Sequence, residues 1–131
     1  MEISLMAAAA LSAVVCGYHL VQGQRMLLAP LLSANVSEQS KQILRCMFHC
    51  QSVFFLTSTV IFLICSLNVI PEMYAYSLIL FLGLNYGIFS IWQFYVASLS
   101  PPNSSPMLSI QALVFLLISL LALLEPLLSL S

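Results

Sequence analysis

Aspartate is missing from this chain altogether, and only seven of its 131 residues carry a formal charge: three are Lys or Arg and four are Glu. A water-soluble domain carries about 25% charged residues because its surface must face water. Here the share is 5%, against 62% hydrophobic, so the expected solvent is lipid. Without aspartate, and with no obvious carboxylate to orient either histidine, a nucleophile–histidine–acid arrangement is excluded despite the many Ser residues. The net charge of −1 comes with no basic patch and no stacking platform, which excludes nucleic acid as a partner.

Carboxylates are also missing from mid-span positions. Glu2, Glu72 and Glu125 fall near helix ends and Glu38 in a loop. The buried ionisable centre expected of a small proton-coupled exporter is therefore absent, and a small transporter remains only a secondary reading. The four cysteines, Cys16, Cys46, Cys50 and Cys65, all fall in apolar runs, which favours small helix-contact residues over a disulfide framework. Glu2 stands where a signal peptide needs a basic segment, so no cleaved leader is expected.

What the chain does have is apolar length. A span of about 20 residues crosses a hydrocarbon core of about 30 Å, and four stretches qualify, near 3–22, 43–70, 72–97 and 107–124. The fold class expected is all-α, an antiparallel four-helix transmembrane bundle forming one domain over 1–131. Between the first two spans, residues 23–40 contain Pro30 and a short apolar run; this reads as an interfacial loop. Asn35, Ser37 and Glu38 offer start signals for the second helix. Pro71 suits the first position of the third. Tyr74 and Tyr76 at one end of the third span, with Trp92 and Tyr95 at the other, mark aromatic belts. The Pro-rich segment SLSPPNSSP separates the third and fourth spans.

Arg25, Lys41 and Arg45 all flank the first connection, and no other loop carries a basic residue. The positive-inside rule places that loop in the cytoplasm and both termini outside it. The sequons at Asn35 and Asn103 lie on the same side and are read as chance matches.

Two stripes carry the polar groups. Leu5, Ala9, Ser12, Cys16, His19 and Gly23 recur with alternating four-three spacing on the first helix. On the second, Arg45, His49, Ser52, Leu56, Thr59, Leu63 and Ser66 recur the same way. By helical rise, His19, His49, Gln93 and Gln111 are expected within about one turn of a common depth in the cytoplasmic leaflet. That predicts an intramembrane polar site around the two histidines, with Ser12, Ser52, Gln93 and Gln111 contributing. Its plainest role is interhelical hydrogen bonding.

A sharper reading places a haem b between His19 and His49. Ser12, Cys16 and Gly23 would leave room for the ring, and Arg25, Lys41 and Arg45 would meet its propionates or lipid headgroups. A metal reading draws on His19 and His49 with Cys16, Cys46 and Cys50. Gly83 and Gly87 form a small-xxx-small pair for helix packing, or for association with a second copy or a larger membrane complex. Replacing His49 is expected to disturb the bundle more than replacing Cys65. The leading expectation for function is a non-enzymatic binding or accessory module, with a haem-binding electron-transfer subunit as the alternative.

The segment HLVQGQRMLLAPLL from His19 to Leu32, followed by LRCMFH ending at His49, resembles a group of small bacterial inner-membrane proteins with no assigned reaction. In that group the first helix ends in a histidine, then Gly, an acidic residue, a basic residue, a leucine pair and Pro-Leu-Leu, and the second opens Leu-Arg before a Trp-His pair. His19, Gly23, Arg25, Pro30, Leu44, Arg45 and His49 match this pattern, whereas Gln24 replaces the acidic residue and Phe48 the tryptophan. The resemblance implies a bacterial inner-membrane location and a role for the histidines.

Overall fold

A computed structural model describes residues 2–130, apart from the side chains of 2, 129 and 130. Met1 and Ser131, the ends of the expected single domain, lie outside the described residues. The chain is all-α. α1 (Glu2–Tyr18) runs without a break through a π-helical stretch (His19–Leu28) into α2 (Ala29–Ser33). α3 (Glu38–Ser66), α4 (Glu72–Leu99) and α5 (Ser105–Leu130) follow. The α1–α2 rod and each of α3, α4 and α5 are long and apolar enough to cross a membrane.

The first helix departs from expectation. It continues to Ser33, so residues 23–33 are part of the rod and not an interfacial loop. The π geometry explains how. His19, Gly23 and Leu28 are the buried residues of this stretch. In an α-helix, the nine positions from His19 to Leu28 make two and a half turns, which would put Leu28 on the far side. The wider π turn, with Ala29 N–H bonded to the Gln24 carbonyl five residues back, holds all three on one face. Only residues 34–37 remain as a loop, and Ser37 caps α3 by accepting the Ser40 N–H at 3.2 Å. At the other end, Asn68 adopts φ 55° and closes α3, a conformation asparagine tolerates better than most residues. Pro71 stands one position before α4, as its N-cap.

The predicted stripe of α1 is the buried one: Leu5, Ala9, Ser12, Cys16, His19 and Gly23 all face inward. On α3 the buried face lies about one position away from the predicted one. Ser52 and Ser66 are buried as expected, but Arg45, His49, Leu56 and Leu63 are exposed. Phe55 and Phe62 take their place inside, with Phe48 half-buried. The inward face of α3 is a double heptad, Phe48, Phe55 and Phe62 interleaved with Ser52, Thr59 and Ser66, the period of a helix-pair seam. The small heptad of the α1–α2 rod, Ala9, Cys16 and Gly23, receives it. Ser12 bonds to Thr59 at 2.8 Å, and a Cβ on Gly23 would lie 2.9 Å from Phe48 Cε2. The same antiparallel register sets Cys16 opposite Phe55 and Ala9 opposite Phe62.

α4 and α5 form the most extensive helix pair, α1 bridges α3 and α5, and α3 meets α4 only sparingly. Rings fill the space between those last two. Tyr86 lies 5.8 Å from Phe54, 6.3 Å from Phe55, 6.1 Å from Phe89 and 5.8 Å from Phe115. On the outer surface, Trp92 and Tyr95 meet edge to face at 5.8 Å, both exposed, as an interfacial aromatic pair should.

Candidate functional site

The most polar point of the interior is a knot of four hydroxyls joining α1, α3 and α4. Tyr86, fully buried, approaches Ser58 at 2.6 Å and Ser12 at 3.1 Å. Ser12 also lies 2.8 Å from Thr59 and 3.2 Å from Ser58. Each hydroxyl has one proton to give, and the shortest contacts set where it goes. Ser58 and Thr59 both donate to the Phe55 carbonyl at 2.9 Å. Tyr86 therefore donates to Ser58 and Ser12 to Thr59, with the remaining close approaches between acceptor oxygens. Four protons are placed on three oxygens, the Phe55 carbonyl accepting two.

One to two turns toward the basic end, His19 sits in an aromatic slot. It is 6% exposed, stacked on Phe48 at 4.2 Å and edge-on to Phe55 at 5.2 Å. Its Nε2 lies 3.2 Å from the Phe48 carbonyl. A carbonyl only accepts, so Nε2 carries the proton and donates. The same carbonyl accepts the Ser52 hydroxyl at 3.0 Å. His19 thus ties the α1–α2 rod to α3 through the backbone of the residue before His49, with Ser52 in support.

His49 itself points outward and is exposed, which corrects the expectation of facing imidazoles. The two histidines lie on neighbouring turns of a helix pair, but only His19 faces inward. The haem arrangement needs two inward imidazoles with free nitrogens. Here one Nε2 is engaged by a carbonyl and its ring is sandwiched, while the other ring faces the surroundings. These residues therefore do not fit a bis-histidine haem. The wider metal set also divides, since Cys16 and His19 are buried and Cys46, His49 and Cys50 exposed. Among the described residues no three His, Cys or Glu side chains converge.

Gln93 donates to Gln111 at 2.9 Å, linking α4 to α5. Ser12 meets Tyr86, and seven residues on from these lie His19 and Gln93, so the two sit at one level by helical rise. They belong to separate contacts, however: His19 with α3, and the glutamines with each other. Gln111 also lines a cleft of about 490 Å³ between α1 and α5, with Val14, Tyr18 and Ile110. Arg25 and Arg45 are exposed, and Lys41 pairs with Glu38 at 3.0 Å. Gly83 and Gly87 meet α5 of the same chain: Ser119 donates to the Gly83 carbonyl at 2.7 Å.

Sequence reasoning missed Tyr86 and Ser58. A tyrosine in mid-span, far from both aromatic belts, was the available signal, because a phenol in hydrocarbon needs a partner. His19→Ala is expected to lower stability by about 2 kcal/mol, combining one intramembrane hydrogen bond with the loss of ring stacking. His49→Ala should stay within about 0.5 kcal/mol of the parent. Cys65, 1% exposed, should cost about 1 kcal/mol when cut to alanine, reversing the order anticipated for His49 and Cys65. Unfolding of each variant in mixed micelles, followed by helicity, measures all three.

The fold and interior together define a multi-pass helical membrane protein. No family model, curated protein or solved structure matches the chain.

Proposed function

We propose that this chain is an accessory or scaffold module of the bacterial inner membrane, its basic end in the cytoplasm and both termini outside. The observation carrying this reading is the closure of the interior. Among the described residues no buried side-chain nitrogen or oxygen lacks a hydrogen-bond partner. The polar groups fix helix register, which is what an interaction module needs and leaves recognition to the outer surface.

That surface is most distinctive at the basic end. Beyond the level of His19 the rod runs on to Ser33, while α4 runs from the level of Gln93 only to Leu99. The α2–α3 hairpin therefore stands roughly 10 Å beyond the α4–α5 connection. It exposes Met26, Leu27, Leu44 and Met47 beside Arg25 and Arg45, a mixture of apolar and basic groups suited to a membrane partner or to headgroups.

Extraction in mild detergent should yield the chain within a larger assembly, and Leu27→Ser with Leu44→Ser should release it without changing its melting midpoint. A solitary monomer, or an assembly indifferent to both substitutions, would overturn the reading. Orientation is checked separately. In a chain carrying Cys46→Ser and Cys50→Ser, a thiol placed in the exposed loop by Asn35→Cys should react with an impermeant maleimide in inverted vesicles and not in right-side-out ones.

A further inference from the structure

Free cysteine is among the most buried residue types, and Cys16 and Cys65 obey this at 6% and 1% exposure. Cys46 and Cys50 do not: both are exposed, one turn apart on the outer face of α3. Residues four apart on a helix hold their Cβ atoms about 5–6 Å from each other, so both sulfurs can reach one ion. The exposed His49 flanks Cys46 on the other side, about 60° around the helix, with Cys50 about 40° the opposite way.

We propose that Cys46 and Cys50 form a surface site for a soft monovalent metal ion, Cu(I), at the basic edge of the membrane. Thiolates select soft ions such as Cu(I) and also bind zinc, so the donor count decides between them. Zinc sites are closed by three or four protein ligands, and among the described residues no such set converges within the chain. Two thiolates satisfy Cu(I), which is stable at low coordination number.

Binding releases both thiol protons to water and forms two Cu–S bonds, while copper stays Cu(I) and no electron moves. The product, two thiolates around one monovalent cation, has one net negative charge. It lies where all three basic residues of the chain gather, with Arg45 beside Cys46 and Lys41 about one turn before it. The proposal does not rest on the accessory-module reading.

The test is anaerobic competition for Cu(I) between the purified, reduced full chain in detergent and a chromophoric chelator, bicinchoninate. One Cu(I) per chain is expected. Cys46→Ser and Cys50→Ser should each weaken binding at least 100-fold, and Cys16→Ala and Cys65→Ala should leave it unchanged. Arg45→Ala should weaken it about 3–10-fold through the lost counter-charge. A second measurement needs no variant: Cu(I) should protect Cys46 and Cys50 of the parent chain from N-ethylmaleimide, as read by mass spectrometry. Failure to compete with the chelator, full binding by the double serine variant, unprotected thiols, or equal affinity for Zn(II) at this pair would each overturn the proposal.

Discussion

Tyr86→Ala is expected to destabilise the bundle by about 3–5 kcal/mol, and Tyr86→Phe by about 1 kcal/mol. The asymmetry follows from proton accounting at the hydroxyl knot. With the phenol oxygen gone, Ser58 still donates to the Phe55 carbonyl and Ser12 still donates to Thr59. No donor is orphaned, so the cost is one hydrogen bond and not a desolvation penalty. The ring is different. Tyr86 is the largest fully buried side chain and the shared neighbour of Phe54, Phe55, Phe62, Phe89 and Phe115. It fills the space between α3 and α4, which meet only sparingly, and alanine would leave a cavity that rigid helices cannot close. Denaturant titration in mixed micelles separates the two contributions. If Tyr86→Phe were as costly as Tyr86→Ala, the hydroxyl knot and not the ring would be what holds the three helices together.

Much of the architecture was legible because lipid imposes it. Length and hydropathy identify the four spans, since a bilayer tolerates little else than complete helices. The inward face of α1 was legible because its small and polar residues share one stripe and leave the rest to Leu, Val and Ala. On α3 the same logic failed. Polar groups were followed there, but Arg45 and His49 lie near the basic end, where long or amphipathic side chains reach water or headgroups without facing inward. The better guide was the bulky heptad Phe48, Phe55 and Phe62, complementary in size to Ala9, Cys16 and Gly23 of α1. The continuation of the first helix past Pro30 was hidden because a π turn leaves no compositional mark. The common depth of His19 and Gln93 follows from rise alone, whereas their separation into different contacts depends on rotation about each axis. An error of one residue there, about 100°, turned the expected facing histidines into one ring inside and one outside.

The four glycines should respond to a methyl group in an order set by what each would touch. At Gly83 a Cβ would stand 2.7 Å from both Cγ and Cδ2 of Leu123 and 3.5 Å from Ala122. At Gly23 the nearest atoms belong to the Phe48 ring at 2.9 and 3.2 Å, at Gly87 to the Ser119 hydroxyl at 3.2 Å, and at Gly17 nothing lies within 4 Å. Leu123 is only half-buried, so Gly83→Ala displaces a movable branch and should cost about 1–2 kcal/mol, in the range of core overpacking. Gly83→Leu cannot be absorbed this way. It should cost about 3 kcal/mol or more, because it forces α4 off α5 and breaks the bond from Ser119 to the Gly83 carbonyl. Gly17→Ala should be neutral or stabilising by up to about 1 kcal/mol, since alanine only improves helix propensity there. The series also separates two uses of the Gly83–Gly87 face. If the face packs within the chain, Gly83→Leu lowers the unfolding midpoint of the monomer in micelles. If it serves a second copy instead, the same substitution leaves that midpoint unchanged and alters only the association state.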